Sequence, residues 1–200
     1  VHANGNLLLH SKLRKGDVEK GFAQADVILE RSYEVPFIEH AYMEPDISMA
    51  TPKSDGRMLI EGPMQAPFSV RRSVAAVLGV PINKVAVRQI MTGGAFGGKL
   101  DSSIDLACRA AVLAAYTGRP VRIALEREEV TLQTCKRHPE FMNVKIGAKR
   151  DGTLVAFEGI VYVDSGAYAS AGTMIPPAAG VNIHSMVMMP GPYEIPNCKV

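Results

Sequence analysis

Seven residues, Gly93-Gly94-Ala95-Phe96-Gly97-Gly98-Lys99, constrain the fold more than any other stretch of the chain. Glycine loses the most conformational freedom on ordering and offers no side chain to pack, so the run disfavours both helix and strand. What it provides is bare backbone, able to approach a ligand closely and to present N–H groups to an anion or a polar cofactor. Before it, Lys84–Met91 carries Val85, Val87 and Ile90 and predicts a strand. After it, Ser103 to about Tyr116 predicts a helix with a small-residue face of Ile104, Ala107, Cys108, Ala111 and Ala114, suited to close packing on a sheet. Ser102 is the expected cap of that helix, with Asp105 three residues on as a weakened capping box. A glycine loop at a strand-to-helix junction is a usual place for a cofactor contact.

The rest of the chain alternates the same two element types. Gly16–Phe22 predicts a short helix with Asp17 near its start. Val27–Val35 alternates apolar and polar residues, the pattern of a half-buried strand. Ile47–Thr51 and Arg57–Gly62 form an expected hairpin around the turn Pro52-Lys53-Ser54-Asp55-Gly56. Pro67 suits the first turn of a helix. Phe68, Val74, Ala75 and Leu78 are expected on one face of it, with Gly79 as its stop. Val121–Leu125 predicts a strand and Glu126–Leu132 a short helix. Phe141–Lys149 and Thr153–Val163 predict two strands joined by an Asp-Gly turn. Gly166–Gly180 shows no periodicity, and a strand is expected to begin after Ile195-Pro196. Mixed strands and helices in this order predict an α+β fold with helices packed on mixed sheets.

The totals exclude some classes of function. With 200 residues, 47% of them hydrophobic, the chain can build a real core. A net charge of +2 with no basic stripe gives no support to nucleic-acid binding. Its apolar runs are too short to span a bilayer, so no membrane partner is expected. Cys108, Cys135 and Cys198 are odd in number and lack CxxC spacing. They suggest neither zinc nor a disulfide framework nor an iron–sulfur cluster, and they suit a reducing, cytoplasmic setting. The first residue is Val, which reads as a cut from something longer.

Three motifs could carry chemistry. Gly93–Lys99 fits GxxxxGK with a strand before and a helix after, the context of a P-loop. Leu100, however, stands where Ser or Thr would coordinate magnesium. Glu39-His40 and Glu44-Pro45-Asp46 could serve acid–base work or a metal; the plainer reading is a polar turn leading into the strand at Ile47. Gln65, between a strand and the helix at Pro67, could offer its amide to a ligand or could be an ordinary loop amide.

Taken together, these pieces resemble the molybdenum hydroxylases, the xanthine dehydrogenase and aldehyde oxidase family, in the large molybdopterin-binding subunit. The resemblance rests on an ordered series. It opens with Gly16-Asp17-Val18, Ala25-Asp26-Val27 and Glu39-His40-Ala41-Tyr42-Met43-Glu44-Pro45, then Gln65-Ala66-Pro67 and Gly93–Lys99. It continues through Thr117-Gly118-Arg119-Pro120-Val121, Arg137-His138-Pro139 and Asp151-Gly152-Thr153-Leu154 to Tyr193-Glu194-Ile195-Pro196-Asn197. Order and spacing over almost the whole chain carry it, rather than any one motif.

The resemblance implies a molybdenum–molybdopterin enzyme that hydroxylates an aldehyde or N-heterocycle with water as the oxygen source. It implies 2Fe-2S and FAD groups on other domains or subunits, to which electrons pass, and a possible oligomer. Gln65, Gly94, Ala95, Phe96, Gly97 and Gly98 become the expected cofactor-binding residues, with Gln65 and Phe96 nearest the molybdenum without ligating it. Leu100 would face the substrate. Purine-oxidising members have a glutamate at that position, so leucine leans away from xanthine. The catalytic base is expected beyond Val200, which leaves no catalytic residue within the chain and an inactive fragment. A non-catalytic binding domain of the same fold is the alternative. The whole of 1–200 would be the N-terminal part of the molybdopterin-binding region, with a possible division into lobes 1–135 and 136–200.

Overall fold

The computed structural model describes residues 5–8, 10–166 and 188–200, so most of the aperiodic stretch after Ser165 lies outside the described residues. The chain divides into two compact units, and the division is not the linear one expected at 135/136. Residues 1–38 belong with 138–200, and residues 39–137 form the other unit. The cause is strand pairing: Val27–Val35 lies antiparallel against Glu140–Ala148 over its full length.

In the first unit the strands are β1 (Arg14–Lys15), β2 (Val27–Val35), β7 (Glu140–Ala148), β8 (Leu154–Val163) and β9 (Asn197–Lys199). They form one sheet in the order β1-β9-β8-β7-β2, with β8–β9 parallel and the other pairs antiparallel. The turn between β7 and β8 closes through Lys149 N–H on Thr153 O at 2.8 Å, with Gly152 at φ 92°. Helix α1 (Val18–Ala23) starts as expected, the Asp17 carboxylate accepting from Lys20 N–H. Asn197 ties β9 to that start, accepting from Asp17 N–H and donating to Val155 O, both at 2.8 Å. A small core gathers Phe157, Ile195 and Cys198. Strand β2 departs from its expected half-burial: all but its last residue are exposed. Among the described strands it is one of the sheet's two edges, and α1 packs towards β8, β9 and β7 rather than over it.

In the second unit β3 (Ile47–Pro52), β4 (Met58–Gly62), β5 (Val85–Gln89) and β6 (Val121–Ala124) form a sheet in the order β5-β4-β3-β6. The expected hairpin is β3–β4. Strands β4 and β5 are parallel, which requires a crossover, and α2 (Pro67–Leu78) supplies it. Helix α3 (Asp101–Thr117) leads from the glycine loop to β6. Both helices end on left-handed glycines, Gly79 at φ 65° and Gly118 at φ 66°. Ala50, Ile60, Val70, Val74, Val85 and the alanines 107, 110, 111 and 114 form the core.

Two local expectations change. Phe68 is 77% exposed, while Val70, Val74 and Ala75 are the buried residues of α2. Phe68 lies two positions from Val70, about 200° round the helix, and so faces away. Ser102 does not cap α3. The helix begins at Asp101 after Leu100, which makes no side-chain cap bond, and Ser102 is buried in the first turn. The capping box of this unit stands instead at α4 (Arg127–Gln133), where Glu126 and Glu129 reach each other's backbone N–H.

Candidate functional site

The glycine run lies wholly in the second unit, between β5 and α3, as its flanks predicted. Its backbone takes conformations that side chains resist: φ is 95° at Gly94 and 98° at Gly97. Phe96 adopts φ 53° despite its Cβ, which costs on the order of 1–3 kcal/mol. The ring of this strained residue is 75% exposed. Gly98 is needed for a different reason. A Cβ there would stand 2.5 Å from Tyr42 Cε1 and 3.1 Å from Ala95 O, so the loop can lie on Tyr42 only without one.

Gln65 and the loop are brought together. Gln65 sits just after β4, before the first turn of α2. Its Oε1 accepts from Gly97 N–H at 3.0 Å and Lys99 N–H at 3.2 Å, and its own N–H donates to Lys99 O at 3.1 Å. The amide therefore spends its acceptor on the loop, and its Nε2 donors meet no acceptor among the described residues. The N–H groups of Gly94, Ala95 and Phe96 likewise donate to no acceptor among the described residues. Leu100 is half-buried at the start of α3, its N–H reaching Gly97 O at 3.4 Å.

The segment 39–46 runs beneath the loop. It is irregular, as the plainer of the two readings expected; Glu39 pairs with Lys136, while Tyr42 and Glu44 meet the loop and Asp46 holds Tyr42 and Ser102 beside it. Glu44 Oε2 accepts from Gly93 N–H at 2.9 Å and from Lys99 Nζ at 2.6 Å. Burial works to raise the Glu44 carboxyl, but the Lys99 and Gly93 hydrogen bonds outweigh it and hold it below its ordinary 4.5. Lys99 is fully buried, its Nζ 4.8 Å from the centre of the Tyr42 ring. Tyr42 OH donates to Asp46 Oδ2, and the Ser102 hydroxyl lies 2.5 Å from Asp46 Oδ1 and 2.8 Å from Gly98 O. Burial, with the Asp46 carboxylate beside it, pushes the Tyr42 phenol well above its usual range. Burial lowers His40, whose Nδ1 has no partner among the described residues and would lie 3.0 Å from a Cβ at Gly98. Sequence reasoning missed Tyr42, Glu44 and Asp46 as partners of the loop. Nothing in their spacing announces a contact with residues about 50 positions on.

The geometry removes the P-loop alternative. A P-loop lysine must reach a phosphate, and the Lys99 ammonium is buried and held by Glu44. Among the described residues no group of three or more His, Cys, Asp or Glu side chains could hold a metal ion. The loop offers backbone and side-chain amide donors, which can meet the acceptors of an organic ligand. The neutral, N–H-rich surface of Gln65 and 94–96 suits such a ligand's polar oxygens and nitrogens, and the glycines leave room for it.

Comparison with known proteins points the same way. A family model described as a molybdopterin cofactor-binding domain matches residues 1–200. The chain is 37% identical over 200 residues to the nicotinate dehydrogenase large molybdopterin subunit of Eubacterium barkeri, covering all of this chain and 45% of that protein. It is 35% identical over 190 residues to the xanthine dehydrogenase/oxidase of Gallus gallus, covering 94% of this chain and 14% of that protein. Among solved structures, the aldehyde oxidoreductase from Desulfovibrio gigas superposes with a TM-score of 0.78 at 29% identity, over 94% of this chain and 20% of that one. The chain spans less than half the length of these relatives.

Proposed function

The chain belongs to the molybdopterin cofactor-binding domain family, and we propose that it supplies Gln65 and the loop 93–98 to hold a molybdenum–molybdopterin group in a longer oxidoreductase. One observation carries the reading. The Gln65 carboxamide locks the glycine loop through Gly97 and Lys99 while its own donors, and the N–H groups of residues 94–96, stay available. When bound, the group supplies hydroxylation of an electrophilic carbon with water as the oxygen source. This chain's residues bind and orient. Gln65 Nε2 and the Phe96 N–H donate to the polar edge of the group, and the glycines admit its close approach. The exposed Phe96 ring gives the site an apolar wall, and Leu100 presents a hydrocarbon surface on the substrate side.

An apolar residue at position 100 leaves the polar edge of a purine unpaired, which is costly in a closed site. An aldehyde or a less polar N-heterocycle is therefore the expected substrate. Electrons would leave through iron–sulfur and FAD groups carried elsewhere, since three cysteines without cluster spacing cannot hold a cluster here.

The test is molybdenum and pterin content per polypeptide in the purified full-length protein. The wild type is expected to carry both. Gln65→Ala, which strands the Gly97 and Lys99 N–H groups and removes two donors, is expected to lower pterin content several-fold. A wild-type protein with neither metal nor pterin rules the reading out.

A further inference from the structure

Glu44 spans the neck of the glycine loop. One oxygen, Oε2, meets Gly93 N–H at 2.9 Å and Lys99 Nζ at 2.6 Å, the first and last residues of the run. Glu44 N–H also reaches Gly93 O at 3.3 Å, so backbone and side chain both grip the loop's entrance. At the other end Lys99 is wholly buried under its own loop and rests on the Tyr42 ring. A buried ammonium with one counter-charge is a poor way to add stability, because desolvation consumes most of what the pair returns. It is a good way to fix geometry, because the wholly buried Lys99 ammonium has no other acceptor among the described residues, although the Glu44 side chain is itself a third exposed.

We propose that Glu44 and Lys99 are positioning residues for the cofactor: a single carboxylate oxygen ties Gly93 to Lys99 and so holds the loop that carries Phe96 in its strained, donor-exposing form. The proposal rests on the cofactor reading of this loop. It assigns Lys99 a role inside the protein and none as a ligand to the bound group. It also gives the acidic segment 39–46 a purpose that neither acid–base chemistry nor metal binding supplies.

The full-length protein tests it with three variants: Glu44→Gln, which keeps an acceptor for Gly93 N–H but no charge, Lys99→Met, and the two combined. Two readouts are taken, amide hydrogen exchange of cofactor-free protein and pterin content of protein purified with cofactor. Each variant is expected to speed exchange of the hydrogen-bonded loop amides, those of Gly93, Gly97, Gly98 and Lys99, at least tenfold while α2 (67–78) keeps its protection. Pterin content is expected to fall at least fivefold. The double variant is expected to be no worse than Lys99→Met, since both act on one contact. Loop exchange and pterin content equal to wild type overturn the proposal. So does exchange that rises equally across the loop, α2 and the sheet, which marks a general structural role. A wild-type protein without pterin refutes the cofactor reading instead. The exchange comparison in cofactor-free protein still decides whether the tie exists.

Discussion

At the scale of single residues, the site is a set of positions where one atom decides. Gly98 has no positive φ to justify it, so its requirement is steric alone. Gly98→Ala is expected to cost about 1–3 kcal/mol, the usual range for overpacking a tight site, in a denaturant titration. Glu44 gives a pH signature. Its folded-state carboxyl is held below the ordinary 4.5, so its contribution is fully present above that value and is lost as pH falls through the lower folded one. Wild type is therefore expected to lose more stability than Glu44→Gln as the pH falls from neutral through the ordinary 4.5 and on through the lower folded-state value. Equal losses in the two proteins would remove Glu44 from the pair. If the proposed function holds, Leu100→Glu in the full-length protein is expected to raise purine oxidation relative to aldehyde oxidation roughly tenfold, about the worth of one hydrogen bond to a charged group. The glycines were legible as a loop between a strand and a helix because their chemistry is local. Tyr42, Glu44 and Asp46 were not, because an acidic turn and an acidic clamp are spelled alike.

At the scale of elements, periodicity and punctuation located most helices and strands. The Asp-Gly turns, Pro67 at a helix start and the stopping glycines 79 and 118 all stand where their backbone chemistry requires. Propensity could not place a helix by a degree of rotation, which is why Phe68 is expected inward and found outward. The two faces of the β4–α2 layer make a direct test. Ile60 is fully buried, and Ile60→Ala is expected to cost about 2–5 kcal/mol, measured as a shift in the urea midpoint. Phe68→Ala is expected to stay within about 0.5 kcal/mol in the same chain, as exposed substitutions do. Ser102 shows the other weakness of local rules. A serine before a helical pattern reads as a cap until a buried carboxylate, here Asp46, claims the hydroxyl.

At the scale of the whole molecule, the chain is a domain of a larger protein's kind: it matches the molybdopterin cofactor-binding family along its full length while spanning at most 45% of the named relatives. The isolated 200-residue chain is expected to show no turnover with aldehydes or N-heterocycles and to keep no pterin through gel filtration. Co-eluting pterin would show that these residues suffice to hold it. The amino-acid order alone determined the family, the glycine loop and the run of elements, since each is written in neighbours a few residues apart. Only the tertiary structure decided which segments associate. Residues 27–35 pair with 140–148, and Glu44 meets Lys99, because strand edges and buried charges choose partners by complementarity in space. Sequence separation does not enter that choice.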